Sequence, residues 1–100
     1  MIKSLGLIIL LASSSCYAGN PGKGSEIFKA RCSTCHGTDG HSVIDIHPVL
    51  AGQKKVYLIK QLKDFKSVSR KDATMQAMAS GLTEENIEDI TTYLSVQKCK

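Results

Sequence analysis

Apolar positions along the 100-residue chain change their spacing several times, and each change marks a predicted element. Leu5 to Ala12 is an unbroken apolar or small run behind a short positive start, Met1 to Lys3, and is too short to cross a bilayer as a permanent helix. Ile27, Phe28 and Ala30 follow Ser25, a good helix cap, and Glu26, so a first helix is predicted from Ser25 up to the cysteines at 32 and 35. Gly37 to Gly52 keeps no period and holds Gly37, Asp39, Gly40, Pro48 and Gly52, the signature of a long loop wrapped around something. From Lys54 to Ser67, Leu58, Ile59, Leu62 and Phe65 share one face while Lys60, Lys63 and Lys66 fall elsewhere, which predicts an amphipathic helix. Val68 to Thr74 is polar and basic, and Met75 and Met78 then flank a short segment ending at Gly81. The last helix starts at Thr83 as N-cap, carries Glu84 and Glu85 in its positive first turn, and turns Ile87, Ile90, Tyr93 and Leu94 inward, with Lys98 and Lys100 at its negative end. Strand alternation is almost missing and no repeat is present, so the expected class is all-α.

With 42% hydrophobic and 22% charged residues, the composition is that of one globular domain. The early apolar run changes that picture at the N-terminus. Followed by Ser13 to Ser15, Cys16, Tyr17 and Ala18, it has the form of a secretory leader cleaved after Ala18, leaving a domain of residues 19–100 with no integral membrane span. Two alternatives are an uncleaved anchor and acylation of Cys16, the latter disfavoured by Ser13 where an apolar residue is needed. Residues 19–100 carry 12 basic and 9 acidic side chains, a modest excess that does not imply nucleic acid. Lys54, Lys55, Lys60, Lys63, Lys66, Arg70 and Lys71 form one stretch and Glu84, Glu85, Glu88 and Asp89 another, read as solvated helix faces in preference to a docking patch.

Removal of the leader leaves Cys32, Cys35 and Cys99. The run Cys32-Ser33-Thr34-Cys35-His36 has the spacing for covalent haem: a short turn brings both sulfurs to one porphyrin edge and the following imidazole beneath the metal. A zinc site would need a second ligand pair that Cys99, His41 and His47 do not form. A dithiol redox pair belongs beside a strand and helix, and a structural disulfide would leave His36 unexplained. Covalent haem also gives a small domain the internal support that its limited core lacks.

Iron held by His36 has a second axial position, for which Met75, Met78, His41 and His47 are the candidates. Both histidines lie in the loop next to the attachment site, on its near side. The methionines follow His36 by 39 and 42 residues, far enough for the chain to pass around the haem and deliver a thioether to the opposite face. The residues alone do not choose between Met75 and Met78.

From about Gly22 to Gln97 the chain resembles the class I c-type cytochromes, specifically the small bacterial periplasmic monohaem kind. The resemblance rests on Gly24 to Phe28 ahead of Cys-Ser-Thr-Cys-His-Gly, Pro48 to Gln53, Tyr57-Leu58 with Gln61-Leu62, Met75 to Ala79, and Leu82-Thr83 through Tyr93-Leu94. It implies about four helices and a long loop around one covalent haem c, with Cys32 and Cys35 as thioether donors and His36 as proximal ligand. It selects Met75, eight residues before Thr83, as the distal ligand over Met78. It further implies that the Pro48 carbonyl accepts a hydrogen bond from His36, and that the first helix crosses the last through Gly24 and Phe28 against Tyr93 and Leu94. Two-haem relatives would continue into a second domain.

The implied function is one-electron transfer in the periplasm between redox partners, without catalysis at the iron. Methionine sulfur and an apolar pocket favour the ferrous state and a positive potential. Acidic partners would meet the exposed haem edge, steered by Lys54, Lys55 and their neighbours. The alternatives are a gas sensor or peroxide-reactive haem protein with a labile sixth ligand, and a subunit of a larger oxidoreductase. Cys99 has no family counterpart; a monomer is expected, with a Cys99 disulfide dimer as the alternative.

Overall fold

The computed structural model describes residues 4, 6–8 and 19–99; the expected leader therefore lies largely outside the described residues. Five helical segments follow in order: α1 (Pro21–Arg31), the single turn α2 (Ser33–His36), α3 (Lys55–Ser67), α4 (Ala73–Ser80) and α5 (Glu84–Ser95). There is no strand among the described residues. This is the expected all-α class, with the stretch from Ser33 to His36 itself forming a helical turn.

The first helix begins earlier than Ser25. Asn20 is its cap, with the side-chain oxygen accepting from the Lys23 amide at 3.0 Å, and Pro21 occupies the first helical position, where a missing N–H costs nothing. Gly22 and Gly24 therefore lie inside the helix. Helical cost at Gly24 is offset by tertiary contact: a Cβ there would sit 1.9 Å from the Asp89 carbonyl oxygen, so only glycine lets α1 and α5 touch backbone to backbone. One turn further on, Phe28 meets Tyr93 with ring centroids 5.9 Å apart. The crossing expected from the family resemblance is thus present, with Phe28 on Tyr93 as expected and Gly24 on Asp89, one turn earlier in α5 than Tyr93.

Helix α5 is the centre of the domain. Thr83 and Asn86 exchange side-chain hydrogen bonds with each other's amides in a capping box. Ile87, Ile90, Tyr93 and Leu94 are buried as their spacing predicts, and they form one core with Phe28, Leu58 and Leu82. Asp89, Thr91 and Thr92 are buried as well, which widens the inward face beyond the apolar stripe. Thr91 and Thr92 satisfy their hydroxyls locally, donating to the Ile87 and Glu88 carbonyls at 2.7 and 2.8 Å.

Helix α3 starts after Lys54, matching the expected range, and buries Leu58 and Phe65. It ends at Val68, which takes the left-handed conformation with φ of 66°. The basic and acidic stretches prove to be connected: Lys55 Nζ lies 2.8 Å from Glu88 Oε2 across the α3 and α5 contact. Lys60 pairs with Asp64 within α3, and Lys66 donates to the Leu82 carbonyl. Part of the charge that sequence reading assigned to open surface therefore joins helices together.

Candidate functional site

Cys32 is at once the C-cap of α1 and the N-cap of α2, and its carbonyl accepts from the amides of Cys35 and His36 at 3.3 and 3.0 Å. That tight turn places side chains three apart on one side, so Cys32 and Cys35 open together onto a single cavity. Gly37 ends the turn with φ of 79°, a conformation that turns the chain away from the motif at little steric cost. Both thiols are half-buried and unbridged. Burial pushes the Cys32 thiol up from its ordinary value, with the Arg31 charge opposing and Cys35 adding to the rise.

His36 is 6% exposed and lines the same cavity. Its Nδ1 lies 3.0 Å from the Pro48 carbonyl oxygen; a carbonyl can only accept, so Nδ1 carries the proton and Nε2 keeps its lone pair. Burial lowers the affinity of this imidazole for a second proton, a neighbouring charge on His47 lowers it further, and the Pro48 bond opposes both. The result is a neutral imidazole with a fixed tautomer, as a metal ligand requires.

The loop over residues 37–54 holds Pro48 in place through contacts to the distant α5. Leu50 and Ala51 amides donate to Gly40 O at 2.8 and 3.1 Å, Gly52 N–H reaches Leu94 O at 2.9 Å, and Tyr93 Oη donates to Thr38 O at 3.0 Å. The expected long loop is thus tied at both ends to the last helix.

On the same cavity, Asp72 caps α4 by accepting from the Met75 amide at 2.9 Å, which seats Met75 in the first turn. Met75 and Met78 both line the cavity, together with Phe28, Leu58, Leu62, Phe65, Leu82 and Leu94. Met78 is 43% exposed, whereas Met75 is half-buried. The cavity encloses about 790 Å³, within the usual size of a cofactor site.

Two rejected candidates are now placed. His47 lines the cavity on the His36 side, with ring centroids 5.9 Å apart, so it sits where sequence reasoning put it. His41 turns elsewhere: Nε2 donates to the Lys98 carbonyl and Nδ1 lies 2.9 Å from Asp39 Oδ2. Through that contact, and with Cys99 beside Gly52, residues 98 and 99 pack on the loop. Sequence reading missed Arg70, whose guanidinium lies 4.6 Å from the Phe65 ring centroid and donates to Gln61 Oε1 at 2.7 Å on the cavity wall. The turn at Val68 folds Arg70 back over α3, and that turn has no glycine or asparagine to announce it.

The donor set fits a covalently attached haem. Two thiols and an imidazole within one turn share a cavity of apolar walls with two thioethers, and these are the groups that such a cofactor uses. Among the described residues no group of three or more histidine, cysteine and carboxylate side chains is arranged to hold a metal ion, and no helix is long and apolar enough to cross a membrane.

The sequence model of the family described as Cytochrome c matches residues 22–98. Cytochrome c4 of Stutzerimonas stutzeri is 36% identical over 101 residues, covering 92% of this chain and 48% of that protein. Cytochrome c-554(548) of Halomonas halodenitrificans is 43% identical over 70 residues, 67% of this chain and 84% of the relative. The crystal structure of reduced recombinant cytochrome c4 from Pseudomonas stutzeri superimposes with a TM-score of 0.74 at 38% identity, over 80% of this chain and 46% of that one. The chain spans about half the length of the cytochromes c4 that it matches.

Proposed function

The chain belongs to the cytochrome c family, and on that footing we propose that it is a one-electron carrier with a single haem c joined to Cys32 and Cys35 and ligated by His36 and Met75. The observation that carries this reading is the convergence of both thiols, the neutral imidazole and Met75 on one apolar cavity. When bound, the haem supplies an iron that accepts and returns one electron.

The protein residues supply what an efficient carrier needs, namely a coordination sphere that does not rearrange. Pro48 O holds the His36 ring by its Nδ1 proton, fixing the plane and basicity of the proximal ligand. Asp72 pins the start of α4, and with it the Met75 backbone. The depth of Met75 relative to Met78 supports it as the distal ligand. A soft thioether and apolar walls such as Leu58, Phe65 and Leu82 disfavour added positive charge, which supports a positive reduction potential. No bond to a substrate is made or broken, so the protein is not an enzyme.

Export of the chain, with a leader over residues 1–18, would place this carrier in the periplasm. Its partners would be redox proteins that meet the haem edge, with Lys54, Lys63 and Lys71 as attracting charges; Lys55 is engaged by Glu88. The test is absorption spectroscopy of protein matured with haem-attachment machinery, after denaturing separation shows that haem remains covalent. A c-type reduced spectrum with the weak far-red ferric band of methionine ligation, and no binding of carbon monoxide by the reduced form, is the expected result. Covalent haem that binds carbon monoxide readily would favour a sensor or peroxide-reactive protein. Loss of haem on denaturation would refute the assignment of Cys32, Cys35 and His36.

A further inference from the structure

Gly19, the first residue of the stretch described continuously to residue 99, is buried against α5. A Cβ at this position would sit 2.1 Å from Thr92 Oγ1 and 2.3 Å from the Glu88 carbonyl oxygen, so the groove accepts backbone and excludes any side chain. The next residue is held equally closely, with Asn20 N–H donating to Asp89 Oδ1 at 2.7 Å. Asp89 is only 4% exposed, and no step of electron transfer uses it. A buried carboxylate is costly unless a nearby positive charge or several donors compensate it, and one neutral amide does so only in part. The neighbouring Glu88 already engages Lys55.

Backbone dimensions keep successive nitrogens within about 3.6 Å of each other, so Gly19 N lies no more than about 6 Å from Asp89 Oδ1. In a continuous chain this nitrogen is a neutral amide. We propose that Asp89 is the counter-ion of a processed N-terminus: hydrolysis of the Ala18–Gly19 bond places a new ammonium beside the buried carboxylate of α5. A processing peptidase and one water balance the step, since Ala18 leaves with a carboxylate and Gly19 keeps the nitrogen, which gains protons. This inference rests on the leader reading of the proposed function.

Leader removal is then part of folding as well as of export. The new charge is fastened two residues before Pro21, where α1 begins, and so secures the end of the α1 and α5 crossing. Cleavage one residue earlier would move the charge away from Asp89, and Gly19 is the residue that the groove admits.

The experiment uses the holoprotein matured in a bacterial host. Intact mass locates the first residue; the α-amine is then acetylated selectively near neutral pH in the natural chain and in Asp89→Asn, which retains the acceptor for Asn20. Denaturant unfolding is read for all four samples. The expected first residue is Gly19, with acetylation lowering the folding constant about tenfold in the natural chain, the scale of a close charge pair. In Asp89→Asn the loss should be less than about twofold, the usual limit for uncoupled changes. Equal losses in both backgrounds would overturn the counter-ion while leaving the leader intact, whereas a first residue other than Gly19 would overturn the leader boundary itself. Should Asp89→Asn fail to fold, one alanine inserted before Gly19 replaces it: destabilisation matching that of the acetylated chain supports the pairing, and unchanged stability refutes it.

Discussion

Gly24 and Asp89 join α1 to α5 backbone against backbone, for a Cβ on Gly24 would stand 1.9 Å from the Asp89 carbonyl oxygen. The obstructing atom belongs to the main chain of the central helix and cannot rotate aside. Because Phe28 and Tyr93 meet on the same crossing, separating the helices at Gly24 also loosens the aromatic contact and the cavity wall next to Cys32.

Gly24→Ala should therefore destabilise the holoprotein by about 2 kcal/mol or more, the cost of overpacking a close interface, despite alanine's better helix propensity. Denaturant unfolding of the holoprotein gives the value. A stabilised variant would show that the crossing relaxes freely.

Val68 sits in the left-handed region at φ 66° and is 42% exposed, so its side chain contributes little packing while its branched Cβ is strained. Val68→Gly should stabilise by about 1 kcal/mol, the left-handed penalty of a residue bearing a Cβ. A thermal melt of the two holoproteins would reveal this as a higher midpoint. A lower one would mean that the Val68 side chain matters more than its backbone strain.

Met75 and Met78 are separated by ligand-field spectroscopy. The far-red ferric band should disappear in Met75→Ala and survive in Met78→Ala, with the reduction potential falling in the former as the soft ligand is lost. The reverse pattern would move ligation one helical turn along α4.

Asp39 is held below the usual carboxylate range, chiefly by the His41 imidazole 2.9 Å away and then by the hydrogen bond from the His41 amide. A depressed acid stabilises the fold above its unfolded value near 3.9 and loses that contribution as pH falls through the lower folded value. Asp39→Asn should accordingly flatten the acid limb of the stability profile below about pH 4. Parallel acid limbs in melts of the two proteins would show that the contact to His41 has no net effect.

The clustering of Cys32, Cys35 and His36 was legible in the residues because it is made within one turn. The spacing of Cys32, Cys35 and His36 encodes a helical turn whose side chains face the same way whatever surrounds them. Thr83 announced the start of α5 for the same local reason, although its partner Asn86 escaped notice. Arg70 was missed because a strained turn at Val68, rather than any turn-forming residue, brings it to the cavity.

Local periodicity and motif spacing were thus enough for the all-helical class, the turn that gathers Cys32, Cys35 and His36, the long loop and the inward stripe of α5. Only tertiary structure decided that Gly24 is tolerated inside α1, that Asp89, Thr91 and Thr92 belong inside, and that Lys55 faces Glu88. The division has a physical cause. Propensity, capping and motif chemistry act over three or four neighbouring residues, whereas the burial of Asp89 and the tolerance of Gly24 within a helix come from the close packing of two segments more than sixty residues apart.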